Sequence, residues 1–159
     1  YPSDAKIYLT ALNKIGCPAL FHMGDCLSSV RQAKLKYALP IHIDDVAVDY
    51  PNMNFIIAHM GYPWVRDAAE VSYKNPNVYS DMSGFVYGNF EGADIRKFSN
   101  SINSFLDIAD NDKLLFGTDW PISNQSSYIQ TCDWLFKQSL CPAVEHLSKN
   151  TIKAFNLKL

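Results

Sequence analysis

Little in this chain of 159 residues suits a membrane or a nucleic acid. No apolar stretch approaches the roughly 20 residues needed to span a bilayer. Lys and Arg (14) nearly balance Asp and Glu (16), and a formal net charge of −2 leaves no basic field for nucleic acid and no acidic tail. The four cysteines, Cys17, Cys26, Cys132 and Cys141, form no CxxC pair and no metal-knuckle spacing, so they read as reduced, structural thiols. The opening residues Tyr1-Pro2-Ser3-Asp4-Ala5-Lys6 lack the charge order and apolar core of a signal peptide. No low-complexity segment, linker or short repeat interrupts the chain. These absences leave one globular domain over residues 1–159, expected in the cytoplasm, with 48% hydrophobic residues to build a core.

What is present is more specific. Three apolar runs end in polar residues of the kind that do chemistry: Ala19-Leu20-Phe21-His22-Met23-Gly24, Phe55-Ile56-Ile57-Ala58-His59-Met60-Gly61 and Leu114-Leu115-Phe116-Gly117-Thr118-Asp119-Trp120-Pro121. A short, continuously apolar run closed by Gly or Pro reads as a strand buried on both faces, typical of parallel sheets covered by helices. In such sheets the loops after the strands' C-terminal ends form the ligand crevice, so His22, His59 and Asp119 are expected to converge there. A fourth run, Asn77-Val78-Tyr79-Ser80-Asp81-Met82-Ser83-Gly84, alternates more and puts another carboxylate near a strand end.

Between these runs lie helical patterns. Ser3 to Lys14 reads as a helix opened by Ser3 or Asp4 and ended near Gly16. Ile43 to Tyr50 has apolar residues at helical spacing, and Pro63 at a first helical turn starts a segment from Trp64 to Lys74 that Asn75-Pro76 stops. Residues 92–110 hold one or two helices, and two more follow at about 124–139 and 142–156. With strands at about 18–22, 54–59, 77–81 and 113–118, the chain reads as consecutive βα units of an α/β fold. The Gly- and aromatic-rich stretch from Gly84 to Gly92 follows a strand. It is either part of the functional rim or an ordinary connection.

The phrases Phe21-His22-Met23-Gly24, Tyr50 to Gly61, Asn77-Val78-Tyr79-Ser80-Asp81, Phe116-Gly117-Thr118-Asp119-Trp120-Pro121 and Asn150 to Leu157 resemble, in order and spacing, the amidohydrolase-2 family. Its members are TIM-barrel metal-dependent hydrolases and decarboxylases of the amidohydrolase superfamily. The resemblance implies a (β/α)8 barrel of which this chain covers about the last four βα units. It places His22 at the end of strand 5, His59 at strand 6, Asp81 on strand 7 and Asp119 at strand 8. The family's first strand ordinarily carries a His-x-His pair. The only histidines here are His22, His42, His59 and His146, and none form such a pair. The expectation is a missing N-terminal half, or a half-barrel that self-associates to cover its open edges and exposed apolar face.

The resemblance also implies a site. His22 and Asp119 would hold a divalent metal such as zinc, with His59 a third group at longer reach. A catalytic zinc takes three protein ligands plus water, so the site is incomplete in this chain. Once completed, it would hydrolyse a lactone or related cyclic ester or amide through metal-activated water. Asp119 would move the water's proton to the leaving group, and His59 would polarise the scissile carbonyl or assist proton transfer. Trp120, Trp64, Tyr62 and Arg66 would line the pocket and hold a small anionic substrate. Two alternatives stand beside this reading: a lyase, namely a non-oxidative decarboxylase of an aromatic or unsaturated acid, and a catalytically inactive fragment.

The remaining polar residues have plainer readings. Asp81 is either a rim carboxylate or the cap of a turn. His42 belongs at a helix start, His146 on a solvated helix face, and Asn150 at a structural junction of the last helix.

Overall fold

The structure, a computed structural model, describes residues 3–26, 29 and 31–158. The Ser3 side chain, offered above as a helix cap, lies outside what is described. The element order is α1 (Ser3–Ile15), β1 (Ala19–Phe21), α2 (His42–Asp49), β2 (Phe55–Ile57), α3 (Val65–Lys74), β3 (Val78–Asp81), α4 (Gly92–Leu106), β4 (Leu114–Leu115), α5 (Gln125–Lys137) and α6 (Val144–Ala154). The four strands form one sheet in the order β1-β2-β3-β4. Every pairing is parallel, with Leu20 opposite Ile56, Ile56 opposite Tyr79, and Asp81 opposite Leu115. Each strand thus lies beside its predecessor with a helix between them, as consecutive βα units require.

The register sorts side chains into two faces. Phe55, Ile57 and Val78 pack with Ile43 and Val46 of α2 and Ala68 and Val71 of α3. Leu114 joins Phe98, Ile102 and Phe105 of α4, Tyr128 and Leu135 of α5 and Leu147 of α6. Burying each such aliphatic or aromatic side chain contributes about 2 kcal/mol. The opposite face carries Leu20, Ile56, Tyr79, Asp81 and Leu115. Its lower part is not bare, as an open half-barrel would suggest, because Ala154 and Phe155 pack on Ile56, Tyr79 and Leu115. At the β1 edge of the sheet, opposite Ile56, Leu20 remains half exposed.

Some expected boundaries shift. The strands stop early: β2 ends two residues before His59, and β4 ends four residues before Asp119. Pro63 is not in the first turn of α3. It follows a cis Tyr62–Pro63 bond, and the helix starts at Val65. His42 does begin α2, with its Nε2 on the Lys36 carbonyl. Asn150 donates to the carbonyls of Asn111 and Leu114, tying α6 to the entrance of β4. His146 is not simply solvated, since its Nε2 sits 3.1 Å from Asp112 Oδ1. The four cysteines are free thiols. Among the described residues no helix is long and apolar enough to cross a membrane.

Candidate active site

His22, His59, Asp81 and Asp119 all come to the C-terminal ends of the strands, but the backbone delivers them by different means. His22 follows directly on β1, and Asp81 is the last residue of β3. His59 and Asp119 lie beyond their strands in left-handed backbone, φ 62° and 64°, as does Met60 at 49°. For residues with a Cβ this conformation costs roughly 1–2 kcal/mol each. Such strain concentrates where a side chain must be aimed rather than merely accommodated.

The glycines of these phrases have a steric role. A Cβ on Gly24 would stand 2.3 Å from the Tyr62 carbonyl oxygen, so only glycine allows the loop after β1 to lie on the loop after β2. There Gly24 N–H donates to the Ala38 carbonyl and Asp25 N–H to the Tyr62 carbonyl. A Cβ on Gly84 would meet His59 Nδ1 at 2.4 Å, so this glycine leaves room for the imidazole. The loops after β3 and β4 are clasped as well: Gly88 N–H donates to Ile122, Asn124 N–H to Gly88, and Ser123 Oγ to Val86. Beneath them the buried Tyr128 hydroxyl accepts from Phe85 N–H, and burial pushes its phenol well above the usual range.

Asp81 is spent inside the site. Its Oδ1 accepts from His59 N–H (3.1 Å), Ser83 N–H (2.9 Å) and Ser83 Oγ–H (2.5 Å), while Ser83 Oγ also lies 2.9 Å from His59 Nδ1. Three donors on one carboxylate oxygen make Asp81 a brace for the turn at Ser83 and for the loop that carries His59, and Asp81 also lines a cleft at the rim. The His22 and His59 rings meet edge to face with centroids 5.0 Å apart, and His22 Nε2 is 3.0 Å from the Asp25 carbonyl.

The space above these residues forms two adjoining clefts. One, of about 550 Å³, is bounded by Leu20, Ile56 and Leu115 below and by His22, His59, Asp119 and Trp120 above. The other, of about 490 Å³, brings His22, His59 and Asp119 together with Tyr62, Phe85, Tyr87 and Lys97. The loop after β3 is therefore rim, through Gly84 to Tyr87. Tyr62 and Trp120 line these clefts, whereas Trp64 and Arg66 do not. Once α3 begins at Val65 its first turn leaves the rim, and Trp64 and Arg66 line a groove between α3 and α4. Arg66 there lies 3.8 Å from Asp107, both well exposed. The cation on the cleft is instead Lys97 of α4, over the Tyr62 ring at 5.6 Å and 4.0 Å from Asp94. Lys97 and Ser83 carry no functional expectation from the sequence, Lys97 because it falls in a helical stretch and Ser83 because its run draws attention only to the carboxylate. A signal was available in Asp81-Met82-Ser83-Gly84, where a short hydroxyl follows a rim carboxylate at a spacing suited to a local turn.

A divalent ion would find donors of the right chemistry here. His22 has one nitrogen on a carbonyl, which leaves the other for an ion, the usual division of labour in a metal-binding imidazole. Asp119 offers a carboxylate on the same cleft. The set fits part of a coordination shell: among the described residues no three His, Cys, Asp or Glu side chains are grouped closely enough to hold an ion.

Parallel βα units that bring two histidines and an aspartate to their C-terminal ends are the architecture of part of an α/β barrel. The chain belongs to the amidohydrolase family, whose model matches residues 1–152. Protein fluG of Emericella nidulans is 26% identical over 136 residues, covering 74% of this chain and 15% of that protein. Among solved structures, a zinc-bound amidohydrolase from Burkholderia multivorans matches 99% of this chain and 58% of its own at a TM-score of 0.68 and 17% identity. A probable 2-pyrone-4,6-dicarboxylic acid hydrolase from Acinetobacter baumannii with citric acid bound matches 98% and 58% at a TM-score of 0.62 and 17% identity. A dihydroxybenzoic acid decarboxylase from Polaromonas sp. JS666, with manganese and 2-nitroresorcinol bound, matches 98% and 55% at 0.60 and 16%. These likenesses carry the fold: the four βα units correspond to part of a TIM barrel. The chain spans between half and three fifths of the length of those structures and a small part of fluG.

Proposed function

We propose that this chain supplies one wall of the active site of a metal-dependent hydrolase acting on a lactone or related cyclic ester or amide that bears a carboxylate. The observation that carries the reading is the meeting of His22, His59, Asp119 and Lys97 on one cleft at the C-terminal rim of a parallel sheet. A bound divalent ion would lower the pKa of water and polarise a substrate oxygen. His22 and Asp119 are the residues that would hold such an ion, with the rest of the shell supplied from outside these residues. Asp119, on the same cleft as His59, accepts the proton of the attacking water and returns it to the leaving oxygen. Lys97, steadied by Asp94 and stacked on Tyr62, holds the substrate carboxylate in place of Arg66. Citric acid in the Acinetobacter neighbour supports a polyanionic ligand for this architecture.

A second reading, non-oxidative decarboxylation of an aromatic acid, is supported by the same fold carrying 2-nitroresorcinol and manganese in the Polaromonas enzyme. The aromatic side chains Tyr62, Phe85 and Tyr87 on the cleft suit a flat ring. Incubation with zinc or manganese, elemental analysis after desalting, and assays on a pyrone carboxylate and on a dihydroxybenzoate test both. Ring opening of the pyrone that is lost in Asp119→Asn supports hydrolysis, and carbon dioxide release from the benzoate supports the alternative. Weak metal retention with neither activity is the outcome expected if the wall is inert without its complement. Tight stoichiometric zinc, lost in both His22→Ala and Asp119→Ala, would show that these residues already form a complete site.

A further inference from the structure

The hydrogen bonds between Asp81, Ser83 and His59 determine more than position. Ser83 Oγ has one hydrogen to give and lies within bonding distance of both Asp81 Oδ1 (2.5 Å) and His59 Nδ1 (2.9 Å). An ionised carboxylate can only accept, so the hydroxyl hydrogen goes to Asp81. Ser83 Oγ is then an acceptor toward the imidazole, and His59 Nδ1 must bring the proton for that bond.

From this geometry we infer that Ser83 is a positioning residue that holds His59 in its Nδ1–H tautomer, leaving the Nε2 lone pair as a hydrogen-bond acceptor at the cleft. Among the described residues no hydrogen bond reaches Nε2, while His59 itself lines both clefts. Two further features hold the arrangement. Asp81 Oδ1 also takes the backbone N–H groups of His59 and Ser83, which fixes both ends of the relay to one atom. Gly84 lies flat against the Nδ1 edge of the ring, where any larger residue would collide with it. Asp81 and Ser83 are both largely buried at the base of the first cleft.

The inference deepens the hydrolase reading by choosing between two roles for His59. A ring protonated at Nδ1 has no Nε2–H to donate to a carbonyl, so at the cleft His59 accepts a hydrogen bond from the water whose proton Asp119 takes.

Nitrogen-15 NMR of the histidine-labelled chain, metal-free and well above the ordinary imidazole pKa of about 6.5, tests the tautomer without requiring turnover. The expected pattern for His59 is a protonated Nδ1 and an unprotonated Nε2. In Ser83→Ala the ring should shift toward the Nε2–H form that free histidine prefers, with the remaining backbone spectrum unchanged, and Ser83→Thr should restore the original pattern. A His59 resonance already in the Nε2–H form, or an unchanged pattern in a folded Ser83→Ala, would overturn the inference. If Ser83→Ala does not fold, the wild-type spectrum alone decides. On whichever substrate is turned over, Ser83→Ala should lower kcat about tenfold to a hundredfold with KM little changed. Absence of turnover in the chain alone is the outcome expected of a wall without its complement and leaves the tautomer result standing.

Discussion

At the floor of the sheet, where the strands enter, Asn77 donates to three carbonyls, those of Ala47, Tyr50 and Met53. Lys113 does the same for Asn75, Pro76 and Val78, and Asn54 reaches Ala154. At the rim, Asp81, Ser83 and His59 bond to one another as well as to backbone, and the backbone is left-handed at His59, Met60 and Asp119. The floor uses its donors to close loops. The rim spends conformational strain to aim side chains at a space. In a βα barrel those are the ends associated with stability and with chemistry respectively. The difference says which substitutions should affect folding and which should affect turnover.

The largest expected effect is at the rim. Asp119→Asn should reduce turnover by about 10²–10⁴-fold, the range for losing a general acid–base, yet leave the melting temperature nearly unchanged because Asn tolerates positive φ. Steady-state kinetics beside a thermal melt would check it, and a matching loss of stability would erase the proposed division. At the floor, Asn77→Ala strips three carbonyls of their shared donor and should cost about 3 kcal/mol in denaturant unfolding. Activity per folded molecule should stay as it was.

Two glycines sharpen the comparison because they share a backbone conformation. Gly16 and Gly84 have φ of 70° and 73°, but nothing lies within 4 Å of a Cβ at Gly16, whereas His59 blocks one at Gly84. Gly16→Ala should therefore cost about 1 kcal/mol, the backbone penalty alone. Gly84→Ala should cost more and also lower kcat by displacing the imidazole, which paired melts and kinetics would resolve.

The smallest effect concerns pH. Burial, with help from Lys153, holds the Lys113 ammonium down at about 8 against an ordinary 10.5. Between those values the unfolded chain binds more protons than the folded one, so the Lys113 contribution makes stability rise with pH across about 8 to 10.5. Lys113→Met should flatten that rise in a series of unfolding curves. A steeper rise in the variant would place the relevant group elsewhere.

The order and type of elements were legible because the buried runs are long enough to exclude other readings and because Pro, Gly and Asn punctuate them. His22, His59 and Asp119 were legible as rim residues for the same reason: each ends an apolar run. What alternation along a strand could not reveal is the left-handed turn that carries His59 and Asp119 past their strands. Trp64 and Arg66 were misplaced because proximity in sequence to His59 does not survive the turn into α3. Lys97 lies on α4, away from the strand-end residues in sequence, and packing of α4 brings it to the cleft.

One contact at the floor bears on the order in which the molecule assembles. Asn156 Nδ2 reaches the Gly16 carbonyl at 3.3 Å across 140 residues of chain. Closing a loop of that length costs on the order of 4 kcal/mol in chain entropy, far more than an exposed hydrogen bond returns. The contact cannot nucleate anything and must await the sheet between its partners. The βα units then close progressively from local contacts, and the seam between the two flanks of the chain forms last and opens first. Amide exchange should show it as the least protected hydrogen-bonded region of the floor.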